Sequence, residues 1–567
     1  MLDLSRFECL GDALRDRTIM YKSNIALIEA DRYRENGRWT YSDLRSRAES
    51  VAAKLQAAGV EPGERVAILM SNQAKWVMSG IGALWAGSVL VPLDYKLTAA
   101  EQLTLLGHCR PRALITEFGI WRALARQPGG IPDDLRVFVT EAPADAEMGP
   151  AERCEAPARG GFSYRARKRE DVACIVYSSG TGGRPKGCML THDSYLEQAQ
   201  SLGNMFPMLE SERYFSILPT NHAIDFMCGM IIPFLYGAAV VHQRTLRPEF
   251  LTSTMKAHGV THTALVPRIL RNIEEKLRGQ MDKLSPWQRL MLDGVMTVND
   301  LATAREPNHL ISRTLLKPIH DRFGGKLRLI VAGGAFVDPS CVDFLYRVGL
   351  PVAVGYGLTE ACVVLTVNDL KPFRPETVGR PVPGVEIEIR DANPAGVGEV
   401  YARGRSLMKG YLDDPELTSE TLVDGWLRTG DLGLIDASGH LKLVGRAKNM
   451  VVTAGGKNVY PEDVESAFEK VEGCEELCVF AESFIWQGAS PADDRLVLVA
   501  RPQSEWPSRR LQDDLKARNR ALADYKRVAS YLVWDSPFPR TATQKIKRQQ
   551  LAREIAARRS RENGLQQ

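Results

Sequence analysis

The chain reads as an α/β protein. A large N-terminal domain of α/β layers carries a small, partly open β-sheet subdomain, and a small α+β C-terminal domain follows. Three observations lead there. Short apolar runs such as 66–70 alternate with segments of helical spacing such as 41–55, the pattern of a parallel sheet with helices on its faces. Between 376 and 430 the spacing changes to period two, as in Val385-Glu386-Ile387-Glu388-Ile389-Arg390, which marks half-buried strands. Beyond 445, strand, helix and strand patterns alternate again. At 567 residues the chain exceeds what one hydrophobic core organises, so at least two domains are expected.

Taken in order, 41–55 predicts a helix behind a polar start, 66–70 a buried strand, 76–86 a helix and 88–92 a strand. Residues 141–170, rich in Ala, Glu, Pro, Arg and Gly, read as an exposed connection. Residues 172–176 are a buried strand, and a helix is expected to open within 189–194 behind a polar cap. The strand 214–219 ends at Thr220-Asn221-His222, and 270–325 is a polar, helical excursion. Two further strands run out into glycines: 327–335, ending Gly333-Gly334-Ala335, and 352–360, ending Tyr356-Gly357-Leu358-Thr359-Glu360. Asp431 is placed in a glycine-flanked turn. Pro461 opens a helix at a favoured first-turn position. A strand at 496–500, a polar helix at about 508–522, a strand at 531–534 and a basic helix with a frayed end at 549–567 complete the chain.

Composition excludes several classes. Charged residues make up 25% and apolar ones 44%, and the net charge is only +4, too balanced for a nucleic-acid partner. Ten scattered cysteines, with Cys474 and Cys478 off metal-finger spacing, fit a reduced, cytoplasmic protein. The first eight residues include acids and no apolar signal core. The longest apolar stretch, 223–241, contains Asp225, Pro233 and two glycines, so a core helix-and-strand pair is expected there, not a transmembrane segment. Peripheral membrane contact and oligomeric state stay open. His258 and His262 sit four apart, but Gly259 lies between them and no carboxylate accompanies them, which argues against zinc.

The richest stretch is Tyr177-Ser178-Ser179-Gly180-Thr181-Gly182-Gly183-Arg184-Pro185-Lys186-Gly187. Glycines let successive backbone N–H groups converge on an anion, hydroxyls add neutral donors, and a lysine supplies a mobile charge. Such a loop suits a polyphosphate; a plain surface turn is the bland alternative. Pro185 occupies the place where both the Walker and the dinucleotide patterns require glycine, so both are excluded.

The loop resembles the Ser-Gly-Thr-Thr-Gly-x-Pro-Lys-Gly motif of the adenylate-forming superfamily, which includes acyl-CoA synthetases, firefly luciferase and peptide-synthetase adenylation domains. Gly182 replaces its second threonine. The resemblance continues through Tyr356-Gly357-Leu358-Thr359-Glu360, Asp431, Gly445-Arg446-Ala447-Lys448 and Pro539-Arg540-Thr541-Ala542-Thr543-Gln544-Lys545, where Gln544 replaces a glycine. In pattern it is closest to the medium- and long-chain acyl-CoA synthetases.

The resemblance implies a division at a hinge near Lys448, with an ATP- and acyl-binding domain over 1–445 and a mobile lid over 446–567. It implies that Ser178, Ser179, Gly180, Thr181, Gly182, Gly183 and Lys186 hold the β/γ-phosphates. Gly333, Gly334 and Ala335 would floor the adenine pocket, Tyr356 would stack on adenine beside Gly357, and Thr359 would bond the α-phosphate. Glu360 would hold Mg²⁺, Asp431 and Arg446 would take the ribose, and His222 would stand beside the acyl carboxylate. Lys545 would serve adenylation, and Gly456 would lie along the thiol arm. The implied reaction joins a hydrophobic carboxylic acid to CoA at the expense of ATP. Two alternatives remain at this point: transfer to an acyl carrier protein, and a non-catalytic acyl- or nucleotide-binding relative.

Overall fold

The computed structural model describes residues 2–158, 160–178, 185–370, 373–452, 458–468, 471–486, 495–503, 509–541 and 545–565. The chain divides into two compact units, Met1–Glu386 with Ala402–Leu427, and Ile387–Tyr401 with Arg428–Gln567.

Among the described residues the larger unit holds an eight-stranded and a nine-stranded sheet. Strand alternation shows how they layer. Val66 and Ile68 of the strand Arg65–Leu69 face one core, and Ala67 and Leu69 face another. In the nine-stranded sheet Leu27 and Tyr214 join the first of these cores, while Ile28 and Phe215 face a third. The shared middle core is filled by the helices Leu10–Met20, Tyr41–Ala57, Ala74–Trp85 and His192–Met205, with Trp76 and Trp85 fully buried. The outer cores are closed by Ala99–Cys109 and Phe118–Ala125 on one side and by Pro267–Met281 and Pro339–Arg347 on the other. The result is five layers: helices, sheet, helices, sheet, helices. Helix Tyr41–Ala57 starts where its sequence says, because Thr40 and Asp43 form a reciprocal capping box.

A second small sheet, of strands Val385–Arg390, Gly398–Gly404, Trp426–Ile435, Leu422–Val423 and Leu441–Arg446, contains the points where the chain passes between units. In the smaller unit Cys474–Ala481 runs antiparallel to Leu496–Pro502, which runs parallel to Val528–Val533. Val464, Leu511 and Leu515 from helices Pro461–Ala467 and Arg509–Ala521 cover one face of this sheet. Leu551 and Ile555 from helix Arg548–Leu565 cover the other.

The helix expected within 189–194 opens there, at His192 behind Thr191, whose side chain accepts from the Ser194 N–H. The residues before it, Lys186–Thr191, are a strand antiparallel to Val172–Ser178, with Cys188 and Leu190 buried at period two. Two expectations need correction, those for Asp431 and for 270–325. Asp431 lies within the ten-residue strand Trp426–Ile435 and not in a turn; Gly430 at φ +71° and a bulge at 432–433 are what its glycines serve. The 141–170 connection is mostly exposed, as expected, and is tied to the body by Tyr164 on Asp12 and by the Arg165 N–H on the Trp85 carbonyl. The 270–325 excursion is helical but not uniformly polar. In helix Pro286–Thr303, Met296, Asn299 and Thr303 are buried while Trp287, Leu290, Met291, Val298 and Leu301 are exposed.

Candidate active site

The loop that the sequence singles out connects two paired strands, with Ser178 and Lys186 as cross-strand partners at its base. Ser179, Gly180, Thr181, Gly182 and Gly183 lie outside the described residues. Because the loop joins two antiparallel strands, no helix opens directly from its end among the described residues.

Lys186 has a neighbour that sequence reasoning missed. Its Nζ lies 5.8 Å from the ring centroid of Tyr411, a cation–π distance. The Tyr411 hydroxyl donates to Glu360 Oε1 at 2.9 Å. Glu360 sits, half-buried, in the single turn Thr359–Ala361. The Cys188 thiol also faces Glu360 and is pushed well above its ordinary pKa, chiefly by burial. A single half-buried carboxylate near a lysine suits a metal that keeps waters and takes further oxygens from phosphate, as Mg²⁺ does.

The glycines beside this cluster are dictated by space. A Cβ on Gly357 would meet the Val363 carbonyl oxygen at 2.0 Å, and one on Gly333 would meet the Gly355 carbonyl oxygen at 2.7 Å. Gly334 takes φ +82°. The turn after Glu360 is strained, with Cys362 at φ 52° and Val363 at φ 105°, and a β-branched residue there costs about 1–3 kcal/mol. Gly333 and Tyr356 end the adjacent parallel strands Leu329–Gly333 and Val352–Tyr356. That edge, at the strand carboxyl ends, is where ligands sit in open α/β sheets. Ala335 follows, exposed.

His222 follows another strand of the same sheet, Arg213–Ser216, with its Nε2 3.9 Å from Asp94 Oδ2. Behind it lies a second feature that the sequence did not flag. Asp225 is fully buried and accepts from Ser216 Oγ at 2.6 Å, Thr220 Oγ1 at 3.2 Å and the Tyr214 hydroxyl at 3.3 Å. Burial raises its pKa to about 7 against the pull of those three hydroxyls. This network fixes the turn that carries His222. Ile224 is close to Gly334: a Cβ built there would lie 3.6 Å from Ile224 Cδ1.

In the smaller unit, Asp431 and Arg446 are cross-strand partners and form an ion pair, Nε to Oδ1, at 2.6 Å. Lys448 lies in the following turn Ala447–Asn449. Gly456 and Gln544 fall outside the described residues. Lys545 is half-buried, its N–H donating to Thr541 Oγ1 at 3.1 Å and its carbonyl accepting from the Thr541 N–H at 2.8 Å. The arm leading to it is anchored by Glu476, which accepts from the Phe538 N–H, from Arg540 and from Arg501. Burial alone would raise the Glu476 pKa, but these three donors hold it below its ordinary value.

Residues 15–412 match the AMP-binding enzyme family. The chain belongs to that family. Among members of known name, a methyl-dioxo-octahydroindenyl propanoyl:CoA ligase of Rhodococcus jostii is 30% identical, the alignment covering 78% of this chain and 81% of that one. The long-chain-fatty-acid–CoA ligase FadD15 of Mycobacterium bovis is 28% identical over 76% of this chain and 73% of its own. The fold is shared with the O-succinylbenzoate CoA synthetase of Bacillus subtilis, solved with ATP and magnesium, at a TM-score of 0.73. Identity there is 23%, over 95% of this chain and 98% of that one. Among the described residues no helix is long and apolar enough to cross a membrane.

Proposed function

We infer that this chain is an AMP-forming acid–thiol ligase that activates a hydrophobic carboxylic acid with ATP and passes the acyl group to CoA. The observation that carries this is the grouping of a lysine, a carboxylate and a glycine-rich hairpin loop in one unit of an AMP-binding enzyme. Ligase activity toward CoA in the named relatives supports the choice of acceptor over a carrier protein.

In the first half-reaction a substrate carboxylate oxygen attacks the α-phosphorus of ATP. The acyl–phosphate bond forms, the bond to the β-phosphate oxygen breaks, and pyrophosphate leaves. Charge spreads over phosphate oxygens, so the protein's work is positional and electrostatic. Ser178, Lys186 and the amides of 179–183 would hold the β/γ-phosphates, Thr359 would bond the α-phosphate, and Lys545 would join carboxylate and α-phosphate. Tyr356, with Gly333 to Ala335, would receive adenine, and Asp431 with Arg446 the ribose. Glu360 would hold Mg²⁺, which when bound offsets negative charge on the phosphates. In the second half-reaction the CoA sulfur attacks the acyl carbon and AMP leaves. Pivoting at Lys448 would withdraw Lys545 and bring the Gly456 segment to the thiol arm.

His222 and Ile224, backed by the apolar segment Phe226–Ile231, would face the acyl group, hence a hydrophobic acid. The ten free thiols suit the reducing cytoplasm. The test is exchange of labelled pyrophosphate into ATP across a panel of hydrophobic acids, with and without CoA. Exchange that depends on the acid, and AMP release that depends on CoA, are expected. Acid-independent hydrolysis, or thioester formed only on a carrier protein, would overturn the assignment.

A further inference from the structure

Tyr411 is 6% exposed and belongs to none of the motifs that single out the phosphate loop or Glu360. It nonetheless joins them. The segment 408–412 is bonded to both: the Lys409 and Leu412 N–H groups donate to the Met189 and Gly187 carbonyls, and the Met408 N–H donates to the Glu360 carbonyl, all at 2.8 Å. Gly410 and Tyr411 pair with Met189 and Cys188 as a short strand. The Tyr411 N–H is taken up by Thr418 Oγ1 at 2.9 Å, which fixes the backbone that carries the ring.

Its two functional atoms or faces point to opposite charges. The hydroxyl donates to Glu360 Oε1 at 2.9 Å, and the ring faces the Lys186 ammonium at 5.8 Å. One neutral phenol thus gives the carboxylate a donor and the ammonium a π-face.

We propose that Tyr411 is a positioning residue for magnesium-bound ATP: its hydroxyl orients Glu360 toward the metal, and its ring orients Lys186 toward the terminal phosphates. This rests on the reading of Glu360 as the metal ligand, and the two can fail separately. The role predicts a split. Tyr411→Phe keeps the ring and loses only the donor, so ATP affinity without metal stays as in the wild type. The Mg²⁺ concentration that half-saturates the enhancement of ATP binding rises about tenfold, the scale of one hydrogen bond to a charged group. Tyr411→Leu also weakens metal-free ATP binding, through Lys186.

The experiment is calorimetric titration of ATP into the full chain at graded Mg²⁺, with Tyr411→Phe, Tyr411→Leu and Glu360→Gln beside the wild type. Thermal melts certify folding, and Tyr411→Phe, nearly isosteric, carries the test if Tyr411→Leu does not fold. A magnesium shift in both Glu360→Gln and Tyr411→Phe, at unchanged metal-free affinity for Tyr411→Phe, is the expected result. A shift in Glu360→Gln alone overturns the role of Tyr411. No shift in Glu360→Gln overturns the metal site itself.

Discussion

The two units hold their chemistry in different ways. In the larger one, Lys186 and Glu360 both meet a buried tyrosine whose segment is bonded to both of theirs. In the smaller one, Asp431 and Arg446 meet on paired strands, while Lys545 is bonded to Thr541 and the segment before it is anchored through Glu476. The first arrangement suits groups that keep one geometry throughout a reaction. The second suits a group presented on a rigid arm, where the arm as a whole can be moved.

Substitutions in the larger unit should fail at adenylation, before CoA enters. Lys186→Met and Glu360→Gln should each lower acid-dependent pyrophosphate exchange by about 10²–10³-fold, the scale of removing one preorganised charge from a transition state. Loss of CoA transfer with exchange intact would reverse the order. Next, Gly357→Ala forces a Cβ onto the Val363 carbonyl oxygen. A cost of about 1–3 kcal/mol is expected, as for overpacking, read as a lower midpoint in urea; an unchanged midpoint would show that the strained turn relaxes freely. Asp431→Asn should weaken ATP binding by about tenfold through the loss of a charged acceptor, while leaving melting temperature within a few degrees.

Two buried carboxylates give the contrast a pH signature. Asp225 has its pKa raised to about 7. The folded state therefore holds a proton that the unfolded chain releases near pH 4, and stability falls as pH rises from about 4 to 7, by up to ~1.4 kcal/mol per pH unit. Glu476 is shifted the other way. Its contribution is present above the ordinary glutamate value and is lost as pH falls through its lowered pKa. Asp225→Asn should flatten the neutral limb of a stability–pH curve, and Glu476→Gln the acidic limb. Identical curves for both variants would contradict the assignment.

The layered sheets were legible because their buried strands and helices are apolar over whole elements, as 66–70 and 76–86 are. The hairpin was not. Gly187 interrupts the alternation of Lys186–Thr191, whereas the polar residues at 191–194 do mark the helix start at His192. Lys186 and Glu360 stand out through the composition of their own segments. Tyr411 does not, because its partner is 51 positions away and its strand is two residues long. Asp225 was read only as a charge that breaks an apolar stretch, since its three hydroxyl donors come from the preceding strand and turn. Local pattern reveals elements and loops; a hydrogen bond between distant segments leaves no period to find.

The division of labour between the units comes down to Lys545. Its replacement by alanine, followed through both half-reactions in separate assays, is the decisive measurement. Pyrophosphate exchange should collapse by at least about 10²-fold, the scale of one positioned charge, while conversion of supplied acyl-adenylate and CoA to thioester proceeds at close to the wild-type rate. Equal loss of both half-reactions, or exchange at the wild-type rate, would contradict the account.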